Sequence, residues 1–227
     1  MAKFRRIAAL AAVPVAVGVI AFVADPAMGV VGGSETENPG WVVALDGDSF
    51  CTGSLVSSSW VVTAKHCMNS VSQARIGSDS HGDGGTTRDI VQQVAGQGDV
   101  ALMKLSEPVD NTPIEIADST PDPGQSGTAY GWGATCGTSD CPLSTQLKKL
   151  STTVASSASC GGEDPFLCID VTENNTTCYG DSGGPFVVGG RLVGADSSGG
   201  EDVCGIGGEA FGDVAAQKSS ILDIIKG

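Results

Sequence analysis

Histidine occurs only twice in this chain of 227 residues, and basic residues are outnumbered by acidic ones, 12 to 26. The net charge of −14 repels polyanions and argues against nucleic acid and anionic membrane surfaces as partners. There is no low-complexity stretch and no repeat of fixed period, which sets aside disordered and solenoid architectures. Neither histidine stands near the cysteine pairs 136/141 and 160/168, so no zinc template fits them. The polar stretch GSDSHGDGGTTRD carries Asp79, Asp83 and Asp89 without the spacing of a calcium loop. No metal or other cofactor is expected.

What the chain does have begins with a secretory pattern. Lys3, Arg5 and Arg6 precede an apolar run over residues 7–23 and then small residues around a proline, ADPAMG. Pro14 and Gly18 interrupt the run, which is at the short limit for a membrane span. Ala27 and Gly29 stand three and one residues before Val30, the spacing of a signal-peptidase site. Residues 1–29 read as a signal peptide and 30–227 as the exported chain, whose charge becomes −16 with loss of three basic residues and Asp25. Export makes the eight cysteines legible as disulfides, although their number alone permits 105 pairings.

From Trp41 onward the chain runs in short β-branched or alternating segments: WVVAL, GSLV, WVVT, DIVQQVAG, VALMKL, GTAYGWG and LKKLSTTV. PFVVGGRLVGA predicts two strands joined at Gly189 and Gly190. Only the end, VAAQKSSILDIIKG, predicts a helix, with Val214, Ile221, Leu222 and Ile225 on one face. The class is all-β, as a barrel or sandwich, singly or in pairs.

The chemistry centres on CYGDSGGPF, residues 178–186. A serine hydroxyl is a poor nucleophile until a base takes its proton, so Ser182 needs a histidine that a third group orients. His66, in VVTAKHC at the end of an apolar strand, is the candidate; His81 reads as a solvated loop residue. GDSGG also satisfies the G-x-S-x-G elbow of α/β-hydrolases, but that fold needs a histidine after the serine and alternating helices. The subtilisin order, which Asp46 or Asp48 could begin, again needs helices on a parallel sheet. The order that remains is His, Asp, Ser on a β scaffold.

The chain resembles the trypsin and chymotrypsin family of serine endopeptidases from Val30 to its C-terminus. The matching blocks are VVGG at 30–33, CTGSLVSSSWVVTAKHC at 51–67, GDVALMKL at 98–105, GWG at 131–133 and GDSGGPF at 180–186, in the family's order. The resemblance implies two antiparallel six-stranded β-barrels with a C-terminal helix. The N-terminal barrel is expected over about 30–110 and the C-terminal one over about 120–227, divided near the Pro- and Asp-rich 108–122. It further implies His66 as general base, Asp99 as its orienting carboxylate, Ser182 as nucleophile, and the amides of Gly180 and Ser182 as oxyanion hole. In the family the carboxylate at Asp181 pairs with the new N-terminal amine, here that of Val30. The family pattern pairs Cys51 with Cys67, Cys160 with Cys168 and Cys178 with Cys204, and leaves Cys136 and Cys141 to each other.

The specificity pocket departs from trypsin's. Thr176 falls where trypsin has the aspartate that selects Lys or Arg, Ser197, Ser198 and Gly199 resemble the strand that pairs with substrate backbone, and Gly199 leaves room for large side chains. Asp196 and Glu209 stand against a purely neutral pocket, so an uncharged or mixed preference is expected. Lys65 precedes the histidine where the family has a small residue. The expected protein is a secreted, extracellular, monomeric endopeptidase with polypeptide substrates and, as further partners, protein inhibitors. Two other readings stay open: a non-catalytic protein on the same fold, and an enzyme narrowed to esters or a single protein target.

Overall fold

The computed structural model describes Met1 and residues 30–161, 165–199 and 203–227; beyond Met1, the expected signal peptide lies outside the described residues. In chain order the strands are β1 (Ser34–Glu35), β2 (Val42–Gly47), β3 (Cys51–Ser57), β4 (Trp60–Ala64), β5 (Val71–Ile76), β6 (Thr86–Ala95), β7 (Val100–Leu105), β8 (Ser126–Gly131), β9 (Lys148–Thr153), β10 (Phe166–Ile169), β11 (Pro185–Val188), β12 (Arg191–Gly199) and β13 (Glu209–Asp213). The helix α1 spans Lys218–Lys226. Among the described residues no helix is long and apolar enough to cross a membrane.

Strands β2–β7 close into an antiparallel barrel in the order β2-β3-β4-β7-β6-β5. Successive side chains of a strand point to opposite faces, and here both faces of β4 and β7 are covered. Val61, Ala101 and Met103 fill the barrel interior with Val43, Leu45 and Leu55. Their neighbours Trp60, Val62, Val100 and Leu102 face outward and pack against Leu192, Ala195 and Ile221. The unbroken apolar runs WVV and VALM are therefore strands buried on both sides, one side by the barrel and the other by the second half of the molecule.

That second half is a seven-stranded sheet of order β1-β9-β8-β11-β12-β13-β10. It is the second antiparallel β unit that the resemblance implied, with seven strands in place of six. Strand β10 approaches β9 through a single bridge, Val154 to Ile169, in place of a ladder, and the two-residue β1 is added at the β9 edge. The hairpin β11–β12 turns at Gly189 and Gly190, whose φ angles of 58° and 79° are those of a two-residue turn matched to strand twist. Phe186 and Phe211, both fully buried, tilt against each other at 5.6 Å in the core of this sheet.

Each terminus crosses to the opposite half. Residues 30–35 lie on the second sheet, with Val30 in its core beside Ala129 and Val31 bridged to Thr176. The helix packs Ile221 onto the outer face of the first barrel, with Ile224 and Ile225 beside it. It is shorter than its sequence pattern predicts: Val214 is buried ahead of it, and Leu222 is only half-buried. Between β7 and β8 the connection carries no strand, but Ile114 and Ile116 seal the seam between the halves.

Candidate active site

His66 sits in a 3₁₀ turn, Lys65–Cys67, that ends β4. Asp99 stands just before β7, the strand antiparallel to β4, so register brings the two together. The carboxylate is held from several sides. His66 donates its backbone N–H to Asp99 Oδ1 at 2.9 Å, and His66 Nδ1 lies 2.7 Å from Oδ2. Ser197 Oγ donates to the same Oδ2 at 2.8 Å. Burial pushes the Asp99 carboxyl up, but these bonds and the neighbouring imidazole outweigh it and leave the group below its ordinary value. Asp99 is thus ionised at neutral pH and orients His66, which keeps its other ring nitrogen toward the cleft. Lys65 is exposed and contributes only backbone, its N–H to Asp99 O at 3.2 Å, so this position accepts a long charged side chain.

The loop 176–184 is sutured to both halves. Thr52 of β3 donates its N–H to Ser182 O at 2.8 Å and its hydroxyl to Gly180 O at 2.9 Å. From β12, Asp196 O accepts the Gly183 N–H at 2.7 Å, and Asp196 N–H donates to Gly184 O at 2.8 Å. Gly180, which lines the cleft, has φ of 94°, a conformation that side-chain-bearing residues rarely adopt. Among the described residues, neither the Gly180 nor the Ser182 N–H has an acceptor, and Ser182 Oγ makes no hydrogen bond to His66. Ser182, His66 and Gly180 line one cleft of about 730 Å³.

Asp181 points the other way. It is wholly buried, accepts N–H groups from Gly133 at 2.8 Å and Cys178 at 2.9 Å, and has no cation partner among the described residues. Burial pushes its carboxyl up to about 7 against the pull of those two amides. Val30 is also fully buried, with φ of 43°.

The pocket residues divide differently from the sequence reading. Thr176 is fully buried behind the cleft, its hydroxyl near Thr177 O and Glu209 Oε2, and it does not line the cavity. Thr177, Asp196 and Glu209 do. Ser197 occupies a bulge between β12 and β13 and spends its hydroxyl on Asp99, while Ser198 and Gly199 pair with Ala210 and Glu209. His81 is not a solvated loop residue: it is half-buried, edge-on to Phe50 at 5.1 Å, and burial lowers its pKa. Sequence reading passed over Thr52 and Gln217. Gln217 accepts the Gln97 N–H at 2.7 Å and donates to Gln97 O at 3.2 Å, bracing the turn that presents Asp99 from 120 residues away, a link with no local signature.

Four disulfides join Cys51 to Cys67, Cys136 to Cys141, Cys160 to Cys168 and Cys178 to Cys204. The first ties the His66 turn to β3, and it also removes both sulfurs as ligands from the grouping of Cys51, His66 and Cys67. A loop of this size restricts the unfolded chain by about 3 kcal/mol. The double variant Cys51→Ala/Cys67→Ala is therefore expected to lose roughly 3 kcal/mol in denaturant unfolding. A loss near zero would mean that the barrel holds this turn unaided.

A trypsin family model matches residues 30–225. Trypsin delta of Drosophila melanogaster is 30% identical over 223 residues, covering 85% of this chain and 87% of that protein. A trypsin of Saccharopolyspora erythraea is 33% identical over 198 residues, covering 75% and 86%. Among solved structures, a scabies mite inactivated protease paralogue aligns with a TM-score of 0.78 at 24% identity, covering 87% of this chain and 97% of that one. Neuropsin, a serine protease of mouse brain, aligns at 0.76 and 24%, covering 85% and 98%. The structural likenesses speak for the fold and the family match for descent: this chain belongs to the trypsin family of serine endopeptidases.

Proposed function

We propose that the chain is a secreted endopeptidase in which Ser182, His66 and Asp99 form the catalytic triad and residues 1–29 are removed as a signal peptide. The observation that carries this reading is the His66 Nδ1 to Asp99 Oδ2 contact of 2.7 Å, reinforced by Ser197 on the same oxygen, at the mouth of the cleft that Ser182 lines. An inactivated paralogue has the same fold, so fold alone does not carry catalysis. The presence of all three side chains, Ser182, His66 and Asp99, favours the enzyme over the non-catalytic reading.

Ser182 Oγ attacks the scissile carbonyl carbon while His66 Nε2 takes its proton. The carbonyl oxygen becomes an oxyanion facing the free amides of Gly180 and Ser182, which are worth more in the transition state than in the ground state. His66 returns the proton to the departing amine, leaving an acyl-Ser182 ester. Water, deprotonated by His66, then releases the acid and restores the serine. Asp99 stays ionised throughout and stabilises the imidazolium.

The domain 30–227 acts as one unit, since its active site is shared between the barrel that supplies His66 and Asp99 and the sheet that supplies Ser182. Cleavage before Val30 frees an amine for Asp181. Polypeptides are the substrates, protein inhibitors are further partners, and the working form is a monomer. A fluorophosphonate is expected to label the purified chain one-to-one at Ser182, and Ser182→Ala to abolish labelling. Labelling that persists in Ser182→Ala removes Ser182 from the mechanism.

A further inference from the structure

Asp196 and Glu209 are the charged residues of the cleft that the mechanism does not use. Both are buried, at 3% and 4% exposure, yet both line the cavity that holds Ser182. Their strands are neighbours: Asp196 of β12 lies opposite Phe211 of β13, and Glu209 is two residues along on the same face. Adjacent residues of one loop hold them: the Thr176 hydroxyl donates to Glu209 Oε2 at 3.4 Å and the Thr177 hydroxyl to Asp196 Oδ1 at 3.3 Å. Buried carboxylates are ordinarily paired with a cation, but none pairs with either among the described residues. An acid pair without a counter-charge, open to a substrate cleft, is chemistry for a ligand.

We propose that Asp196 and Glu209 work as one proton-sharing pair that makes the choice of P1 side chain, the residue on the acyl side of the scissile bond, depend on pH: uncharged side chains are favoured in acid, guanidinium and ammonium groups in alkali. This rests on the catalytic reading of Ser182. It differs from a fixed charge at the base of the pocket, where Thr176 is neutral and turned behind the cavity.

Two carboxyls in contact cannot both ionise cheaply, so the protons leave in two steps that belong to the pair. Burial and the charge of Glu209 hold the Asp196 proton on, which leaves that carboxyl a donor from which Glu209 can accept a hydrogen bond. Burial also pushes Glu209 up to about 7, offset in part by that bond and by the hydroxyls of Thr176 and Thr177. Below about 7 the pair is therefore neutral, and above it carries one negative charge on the wall of the cavity.

The other groups facing the pair are few. Asp181, from the loop beneath, raises both, and the Val30 amine of the processed chain offsets that charge. Burial is the largest cause at both sites and remains after processing. His66 and Asp99 lie across Ser197, and the Tyr179 phenol stands at the rim. Any change in the proton-transfer step is common to both peptides of a pair, so it cancels in their ratio.

The test is kcat/KM for paired peptides differing only in Arg or Phe at P1, measured from pH 5.5 to 8.5 on the processed enzyme. A charge-assisted bond that appears with pH predicts a rise in the Arg/Phe ratio of about 10- to 100-fold. In Glu209→Gln the ratio is expected to stay flat and low. Asp196→Asn replaces the carboxylic acid donor beside Glu209 by a weaker amide donor, so the rise is expected at higher pH. A flat ratio in the wild-type enzyme overturns the proposal without any variant having to fold, and so does a rise that persists in Glu209→Gln. Fluorophosphonate titration of the same preparation separates the two levels: failure to label Ser182 overturns the catalytic reading and this inference with it. A labelled enzyme with a pH-independent ratio overturns only the acid pair.

Discussion

Ser182→Ala is expected to lower kcat on peptide substrates by on the order of 10⁶, and the triple variant with His66→Ala and Asp99→Ala to be hardly worse. The three groups act as one unit, because proton transfer from Ser182 has no value without a base and the base is misaligned without Asp99. Asp99→Asn is expected to cost about 10⁴ although it keeps the shape of the site. An amide nitrogen facing His66 Nδ1 stabilises the tautomer whose proton points into the cleft, leaving no lone pair for the serine. KM is expected to change little in each case, since these groups act on the reacting bond in the transition state more than on the bound substrate. Steady-state kinetics at a known concentration of folded protein reads these effects. Multiplicative losses in the triple variant would mean that the residues act independently, which the shared Asp99 Oδ2 contacts argue against.

The second large effect concerns Val30. A chain beginning at Val30 is expected to be active as isolated, whereas one retaining even Gly29 is expected to be impaired by about 10² to 10³, the consequence of a buried charge without its partner. In the uncleaved chain two features oppose this arrangement. Asp181 is buried without a cation among the described residues, and Val30, β-branched, is at φ of 43°, a conformation that costs on the order of 1–3 kcal/mol. Cleavage removes the preceding carbonyl, and with it that dihedral, and supplies an ammonium group.

The pH dependence follows from the direction of each displacement. The Asp181 carboxyl of the uncleaved chain is raised to about 7, so the folded state binds more protons than the unfolded one below that point, and its stability falls as pH rises through it. In the cleaved chain the amine, with a reference pKa of about 7.7–8.0, is raised by its partner. Its contribution is complete below the reference value and fades as pH rises through the raised one. The gain in melting temperature on cleavage is expected to be larger at pH 7.5 than at pH 5.5 and to shrink again above the raised amine value. Equal gains at pH 5.5 and 7.5 would uncouple Asp181 from Val30. Activity of Asp181→Asn is expected to be low whether or not the chain is cleaved.

What could be read from residue order alone was of two kinds. Strands announced themselves because β-branched residues recur between glycines, and the family because five blocks stand in one order from VVGG to GDSGGPF. Both signals are local, carried within a few residues. The runs WVV and VALM showed that strands were buried but not by what, since one apolar face looks like the other in one dimension. Only the folded chain assigns Val61 to the barrel interior and Val62 to the seam.

At the site the same division holds. Ser182 and His66 stood out as candidates because a nucleophile and its base demand particular side chains, and with two histidines the choice was small. Ser197 was read as part of a substrate-binding strand, and its hydroxyl on Asp99 depends on a bulge opposite β13 that no pattern encodes. Gln217 and Thr52 brace the site from separations of 120 and 128 residues, where chain closure, not sequence, decides who meets whom.

The pocket is the sharpest case. Thr176 was placed at its base by counting from Ser182, and counting is blind to which way a side chain turns. The sequence by itself determined the class, the family and the chemistry available, because those depend on residue type and short spacing. Which acids are buried and what holds them, Asp181 under the Gly133 and Cys178 amides and Asp196 and Glu209 beside the Thr177 and Thr176 hydroxyls, was decided by the tertiary structure. Burial and proximity set the charge of an acid, and neither exists until the sheet has formed.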